Sequence, residues 1–384
     1  MNSRTRVLRA IEHKSTDRTP IDLGMHTSTG ISAFAYYNLR KYLGLDTDEI
    51  VIADPIQFTP RVELDVLSQL GCDCVRAMAR WDDTHKWTVR GDDTFTIPTS
   101  LKPVQQADGS YVAQRATATL RMPAGGFFFD GGWPSFYDCE YEEEMRRLGE
   151  DAKRLYEETD LFVGAGKFSG FFRDSDINWL CDIMLEPEKV KQQLAAELKD
   201  QKKKFDLYQK HVKHYAQCLF VTSDLGSQQA PLINPAVYEE VVAPVLGEFC
   251  SYIHPNSDYK IFMHCCGSIA PLISTLIDCG IDIISPVQIS ADNMEPAMLK
   301  QMFGEKITFW GGGVDTQTVL PLRGIDEIRE NVTELVHTFS PGGGYIFSPV
   351  HNIMGDIDPE KVLAVYDAAR KAGTNPAGNG AKNE

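Results

Sequence analysis

The chain has 384 residues and a mass of 42.9 kDa, enough for two or three domains of roughly 150 residues or for one barrel of about 250 with additions. Hydrophobic residues make up 43% and charged residues 24%, so a large core can be buried and a disordered chain is excluded. A formal charge of −16 opposes any sequence-independent hold on nucleic-acid phosphates or an anionic membrane surface.

The first residues, Met1 to Ala10, are basic but run into Ile11-Glu12-His13-Lys14 rather than an apolar stretch, unlike a secretory signal. Nowhere do roughly 18 apolar residues run together, as a membrane span requires. The expected location is the cytoplasm, and the nine scattered cysteines read as reduced thiols rather than a disulfide framework.

Pro20-Ile21-Asp22-Leu23-Gly24 reads as an early strand, followed by a helix over Ala33 to Leu43, a second helix ending near Leu70-Gly71, and a strand at Val75 to Met78. From Lys86 to Met122, β-branched, aromatic and polar residues alternate, with turns at Arg90-Gly91-Asp92-Asp93 and Ala107-Asp108-Gly109-Ser110. That pattern predicts antiparallel hairpins. From about residue 160 a cycle sets in. Each apolar run (Phe162 to Ala165, Cys218 to Thr222, Lys260 to His264, Ile281 to Ile284, Lys306 to Trp310, Gly344 to Phe347) is followed by a turn and a helical segment. Those helices are expected from Pro187, from Asn234-Pro235, over Ile269 to Asp278, Pro296 to Phe303, Asp326 to Thr338 and Pro359 to Lys371. Alternating strands and helices give a parallel sheet covered by helices. An open doubly wound sheet fits the same cycle, but no G-x-G-x-x-G opens a helix after the first strand. The expected architecture is an α/β fold of the (β/α)8 TIM-barrel type, with an antiparallel hairpin insertion at about 86–122. A single domain over 1–372 and a flexible tail over 373–384 complete the expectation.

The strongest chemical signal is His264-Cys265-Cys266-Gly267, directly after Ile261-Phe262-Met263. Side chains of an extended chain alternate, so His264 and Cys266 point the same way at the C-terminal end of a strand, the rim on which parallel barrels carry their chemistry. An imidazole and a thiolate suit zinc, and a catalytic zinc takes three protein ligands with one position open. The third candidate is His351, just beyond the last strand. Cys279 belongs to the opposite rim, at a helix C-terminus. The other reading of His264 and Cys266 is a satisfied strand-end histidine beside a buried thiol. Further polar residues fall at strand ends. Asp224, His26 and Asp315 are catalytic candidates, and Gln228 and Gln288 substrate-binding ones, each with a helix cap or loop hydrogen bond as the alternative role. Phe127, followed by Phe128, Phe129, Trp133 and Phe136, reads equally as pocket wall or core.

These residues resemble the uroporphyrinogen decarboxylase superfamily and, within it, the zinc-dependent corrinoid methyltransferase branch. The opening Arg4 to Glu12 with Thr16 to Pro20, the stretches Met122 to Gly126 and Asp224 to Gln228, and the ending Gly342 to Pro349 carry the similarity over nearly the whole chain. The decarboxylases have an Arg-rich loop after the first strand. Here Gly24 to Gly30 contains no Arg, which disfavours porphyrinogen decarboxylation. The resemblance implies zinc held by His264, Cys266 and a ligand near the last strand, which is Cys in the coenzyme M methyltransferases and His351 here. One thiolate against the two positive charges of zinc would leave +1, a strong Lewis acid. The implied activity moves a methyl group between a small substrate, a methyl ether such as a methoxylated aromatic or a thiol, and the cobalt of a corrinoid. No Asp-x-His-x-x-Gly cobalt-ligating motif occurs, so the corrinoid is expected on a partner protein. A metal-free decarboxylase-like lyase and a non-enzymatic metal- or corrinoid-binding barrel are the competing readings.

Overall fold

A computed structural model of the chain describes residues 1–374. Parallel strands Cys74–Arg76, Phe162–Ser169, Cys218–Thr222, Lys260–His264, Ile283–Ser285, Thr308–Trp310 and Tyr345–Ile346 lie side by side in chain order. Residues 20–22 take the eighth place. Ile21 bridges Phe347 in parallel, with Asp22 N donating to Phe347 O at 2.8 Å and Phe347 N to Pro20 O at 2.9 Å. On its other side Asp73 N donates to Ile21 O at 2.7 Å. The sheet is therefore closed, and the expected TIM-barrel architecture is the observed one, with its first strand shortened to a single bridge.

Alternation along the strands builds two apolar layers. Cys74, Phe162, Cys218, Phe220, Phe262, Ile283, Trp310 and Ile346 share one buried cluster with Met25 and with Val7, Ala10 and Ile11 of the helix Ser3–Ile11. That helix, whose N-cap Asn2 accepts from Thr5 N at 2.9 Å, closes the N-terminal mouth of the barrel. Their neighbours Val75, Val163, Leu219, Ile261, Met263 and Ile284 pack into the larger core beneath the helices. Strands buried on both faces read as continuous apolar runs, so polar side chains are displaced to the ends.

The helices fall where the sequence places them: Pro187–Val212, Pro235–Val241 with Ala243–Ile253, Ile273–Cys279, Pro296–Phe303, Ile325–Phe339 and Pro359–Ala372. Asn234 caps its helix by accepting from Ala236 N at 3.0 Å. The helix Tyr141–Glu158, which the strand-helix cycle does not reach, buries Met145, Leu148, Ala152 and Leu155 at three- and four-residue spacing. Between the strands at 74–76 and 162–169 lie the hairpin Thr84–Val89 with Asp93–Pro98 and the three strands Val104–Gln105, Tyr111–Arg115 and Ala118–Met122. At the C-terminus Gly373 O accepts from Thr19 N at 3.0 Å and Thr374 bridges Arg18. The rest of the segment expected as a tail, from 375 onward, lies outside the described residues. Among the described residues no helix is long and apolar enough to cross a membrane.

One carboxylate secures the closing segment. Asp73, fully buried, accepts from Arg6 at 2.7 Å, from Arg18 at 2.6 Å, from Ser3 Oγ at 2.7 Å and from Ile21 N at 2.9 Å. It joins the plugging helix, the bridge at 20–22 and the first full strand. Removing one member of such a buried pair leaves a desolvated charge without its counterion and costs about 3–5 kcal/mol. Asp73→Ala is expected to lower unfolding stability by about that amount, read as a shift of the urea midpoint. A loss comparable to a surface substitution would show that the cluster does not hold the closure.

Candidate functional site

Strand register brings the ligand-type residues together. Cys218–Thr222 and Lys260–His264 pair in parallel with Thr222 opposite His264, so two residues further along each chain Asp224 meets Cys266, whose amide donates to Asp224 Oδ1 at 3.0 Å. The two loops touch backbone to backbone because Gly226 and Gly267 meet there. A Cβ on Gly267 (φ +88°) would lie 2.3 Å from the Gly226 backbone, and one on Gly226 would lie 2.7 Å from Cys266 O. His264 Nε2 stands 3.4 Å from Asp224 Oδ1 and 3.5 Å from Cys266 Sγ. The ligand atoms of Asp224, His264 and Cys266 all lie within 4.8 Å of one another.

The surroundings set the charge of this trio. Burial works to raise the Asp224 carboxyl, but the protonated form of His264 and the Cys266 amide outweigh it and hold the group well below the usual range. Burial, reinforced by Asp224, pushes the Cys266 thiol well up, so that thiol holds its proton until a cation displaces it. Behind His264, Nδ1 lies 2.9 Å from Ser28 Oγ, which is 2.8 Å from His26 Nδ1. A ligating histidine is normally steadied by such a partner on its other nitrogen. A soft thiolate, an imidazole and a carboxylate at this spacing fit zinc.

A cavity of about 530 Å3 opens above the trio, and its lining includes His26, Phe127, Lys167, Asp224, His264 and His351. Burial pushes the His26 ring well below its ordinary value, aided by the neighbouring His264. His351 lies one step outside the compact trio, with its ring centroid 6.4 Å from that of His264. Burial likewise pushes it down to about 4. The strand preceding His351 is three places from His264 around the barrel, whereas Asp224 follows the adjacent strand. The compact group formed with His264 and Cys266 takes in Asp224, expected to be catalytic, with His351 beside it on the same cavity. With a carboxylate and a thiolate together, the two positive charges of a zinc ion would be balanced to zero instead of the expected +1.

Three other sequence candidates sit elsewhere. Asp315 accepts from Gln317 N at 2.9 Å and from the Thr318 hydroxyl, stabilising its own turn outside the cavity lining. Gln288 Oε1 accepts from Gly267 N at 2.8 Å, Gln288 Nε2 donates to Gln228 Oε1 at 2.7 Å, and Gln228 Nε2 donates to Ser290 O at 2.6 Å. This chain of amides props the Cys266-Gly267 turn and does not reach the cavity. Phe127, Phe128, Phe129 and Trp133 do line the cavity, while Phe136 is core. Sequence reasoning passed over Ser28 and Lys167. Ser28 stands two residues beyond His26 on the same loop, a spacing that could have flagged it.

A closed parallel barrel with a carboxylate, an imidazole and a thiol converging at the C-terminal rim beneath a substrate-sized cavity is a barrel with a candidate metal centre. Residues 176–372 match the family model described as Uroporphyrinogen decarboxylase (URO-D), and the chain belongs to that family. A uroporphyrinogen decarboxylase from Thioalkalivibrio sulfidiphilus is 42% identical over 48 residues, 12% of this chain and 14% of that protein. The matched stretch thus spans far less than half the length of that curated relative. Among solved structures, a methyltransferase from Methanosarcina mazei shares the fold with a TM-score of 0.59 at 15% identity, over 97% of this chain and 99% of that one. A B12-independent methionine synthase from a Shewanella species aligns at 9% identity with a TM-score of 0.40, over 80% of this chain and 84% of that one.

The glycine contact generates a test that does not depend on the reaction. In Gly267→Ala the added methyl has no room and the backbone has the wrong φ, so Asp224 and Cys266 should separate. Zinc affinity, measured against a chromophoric chelator, is expected to fall by about 10–100-fold, as for lost ligand support. Undiminished affinity would mean that the trio does not depend on this contact.

Proposed function

We propose that the chain is a methyltransferase that moves a methyl group between a small substrate and the cobalt of a corrinoid carried by a partner protein, with zinc as its resident ion. The carrying observation is the convergence of His264 Nε2, Cys266 Sγ and Asp224 Oδ1 within 4.8 Å of one another on the floor of an aromatic-walled cavity. His264, Cys266 and Asp224 would hold the ion, with His351 close enough to the rim to join them. Bound there, zinc supplies Lewis acidity that makes an ether or thioether a better leaving group or a thiol a better nucleophile. In the demethylating direction the methyl–oxygen bond would break, the partner's reduced corrinoid would supply the electron pair that takes up the methyl group, and the released alkoxide or phenolate would take a proton from solvent.

The chain's own residues do the rest. Phe127, Phe129 and Met354 present apolar surface that excludes water from the reacting group. His26, neutral in its buried setting, can hydrogen-bond the substrate without bringing charge. Lys167 opens onto the same cavity, with its ammonium 5.5 Å from the Trp133 ring centroid and no ion pair among the described residues. Desolvation by the cavity wall lowers it from its ordinary value, against the raising pull of Asp54 and Asp224. An ammonium with no carboxylate in direct contact, beside a wall of phenylalanines, suits a methoxylated aromatic that bears an acidic substituent.

Metal analysis of purified protein is expected to find stoichiometric zinc, lost in His264→Ala and in Cys266→Ala. Chelation should abolish methyl transfer from a methoxylated aromatic to cob(I)alamin, followed by the cobalt spectrum. Retained zinc in both variants, or full turnover after chelation, overturns the reading. Lys167→Met is expected to raise KM for a methoxybenzoate by at least about tenfold, the order of one lost charge-assisted hydrogen bond, with little change for the uncharged anisole. An equal effect on both compounds would remove Lys167 from substrate recognition.

A further inference from the structure

We propose that Ser28 is a positioning residue that fixes opposite tautomers on His26 and His264, so that His264 turns a bare Nε2 toward Asp224 and Cys266 while His26 offers an Nε2–H to whatever occupies the cavity. The zinc-facing half of this role rests on the function proposed above; the tautomer lock itself does not.

The protons along this chain of donors can be counted. Ser28 N lies 3.2 Å from His26 Nδ1 and donates to it. A backbone amide can only donate, so His26 Nδ1 carries no proton and the neutral ring holds its proton on Nε2. Ser28 Oγ approaches the same Nδ1 at 2.8 Å, and with no proton on the nitrogen the hydroxyl must be the donor. Its single proton is then committed. The remaining contact, 2.9 Å from Ser28 Oγ to His264 Nδ1, can form only if His264 Nδ1–H donates to the hydroxyl oxygen. In the neutral ring that leaves His264 Nε2 as a lone pair, and Nε2 is the atom 3.4 Å from Asp224 Oδ1 and 3.5 Å from Cys266 Sγ.

Two acceptors at 3.4 Å with nothing between them repel. A cation in the gap, a proton or a metal ion, turns the contact into an attraction, and in either case the lock keeps Nδ1–H in place. Ser28 is fully buried, so no solvent competes for its hydroxyl. The His26 ring is also held in orientation. Its centroid is 4.9 Å from Phe220, 5.3 Å from Phe262 and 5.1 Å from His264, against which it stacks. His26 lines the cavity, and its Nε2 has no protein acceptor among the described residues. An N–H so placed is matched by a lone pair on the substrate, an ether oxygen or a thiol sulfur.

The chain contains nine histidines, few enough for selective 15N-histidine labelling and two-bond proton–nitrogen correlation. Metal-free wild-type protein should show His26 protonated on Nε2 alone and His264 protonated on Nδ1. Zinc should then shift His264 Nε2 and leave its Nδ1–H in place. In Ser28→Ala the His264 pattern should become a mixture of tautomers and zinc affinity should fall by about 10–100-fold, with Ser28→Thr, which keeps the hydroxyl, restoring both. A wild-type His264 protonated only on Nε2, a His26 protonated on Nδ1, or a Ser28→Ala protein that retains both tautomers and its zinc affinity would overturn the proposal. The wild-type spectrum decides the lock even where Ser28→Ala does not fold. It also decides it where zinc fails to bind, so a failure of the proposed function would be seen separately.

Discussion

A parallel sheet of seven strands has two open edges, and everything distinctive about this molecule follows from how they are joined. The joint is small: residues 20–22, one bridge to Phe347 on one side and one amide from Asp73 on the other. Three residues of pairing cannot hold a barrel shut by ladder hydrogen bonds alone, each contributing about 1 kcal/mol net. The Asp73 carboxylate, which binds Ile21 N together with two guanidinium groups from the N-terminal segment, makes the joint a buried ionic cluster. Closure in turn decides where the next loop goes. The residues directly after the joint carry His26 and Ser28, and Ser28 meets His264 across 236 positions of sequence. Were the sheet open, that loop would lie at an edge, far from the strand that carries the imidazole.

The barrel interior then imposes a gradient from apolar to polar along its axis. At the base, Val7, Ala10 and Ile11 plug the mouth, and above them Phe162, Phe220, Phe262 and Trp310 fill the middle. Polar atoms at that depth need an internal partner: Trp310 Nε1 donates to Asp22 Oδ2 at 2.9 Å, and burial in turn raises the Asp22 carboxyl to about 6. Only one layer higher do His26 and His264 emerge, with the His26 ring resting on Phe220 and Phe262 and stacked against His264. The aromatic bed excludes water from beneath the His26 ring, which favours its neutral imidazole, and the donors around each ring determine which of its nitrogens is available.

The donor set at the rim combines groups of different character. The thiol of Cys266 is held protonated by burial and by the Asp224 carboxylate beside it, and the same carboxylate accepts the Cys266 amide and faces His264 Nε2. Asp224 therefore opposes ionisation of the thiol while it is alone with it and ceases to do so once a divalent cation offsets both negative charges. A doubly charged ion would therefore suit the trio better than a singly charged one. The amide chain through Gln288 and Gln228 keeps the Cys266-Gly267 turn from relaxing away from Asp224.

Much of this was written plainly in the sequence, because apolar runs and helix caps are local. The strands at 218–222 and 260–264, the Asn234-Pro235 helix start and the pairing of His264 with Cys266 by alternation all depend on residues within a few positions of one another. What depends on register was not legible. Asp224 reads as a strand-end carboxylate of no fixed partner until Thr222 is known to lie opposite His264. His351, equally suited by residue type, follows a strand three places away, so its approach to the trio depends on closure rather than on neighbouring register. Lys167 shows the limit most clearly. The apolar run that marks its strand ends at Ala165, and strict alternation from the inward-facing Phe162 and Gly164 would turn Lys167 outward. The pairing with 218–222 shifts between Leu219 and Val221, which face Ala165 and Phe168, so that Gly166 and Lys167 together oppose the single residue Phe220. Gly166 at φ +81° absorbs the extra residue, and the bulge turns the lysine into the cavity. A bulge depends on the partner strand as much as on its own residues, so a reading of one segment at a time places the ammonium on the wrong side of the barrel wall.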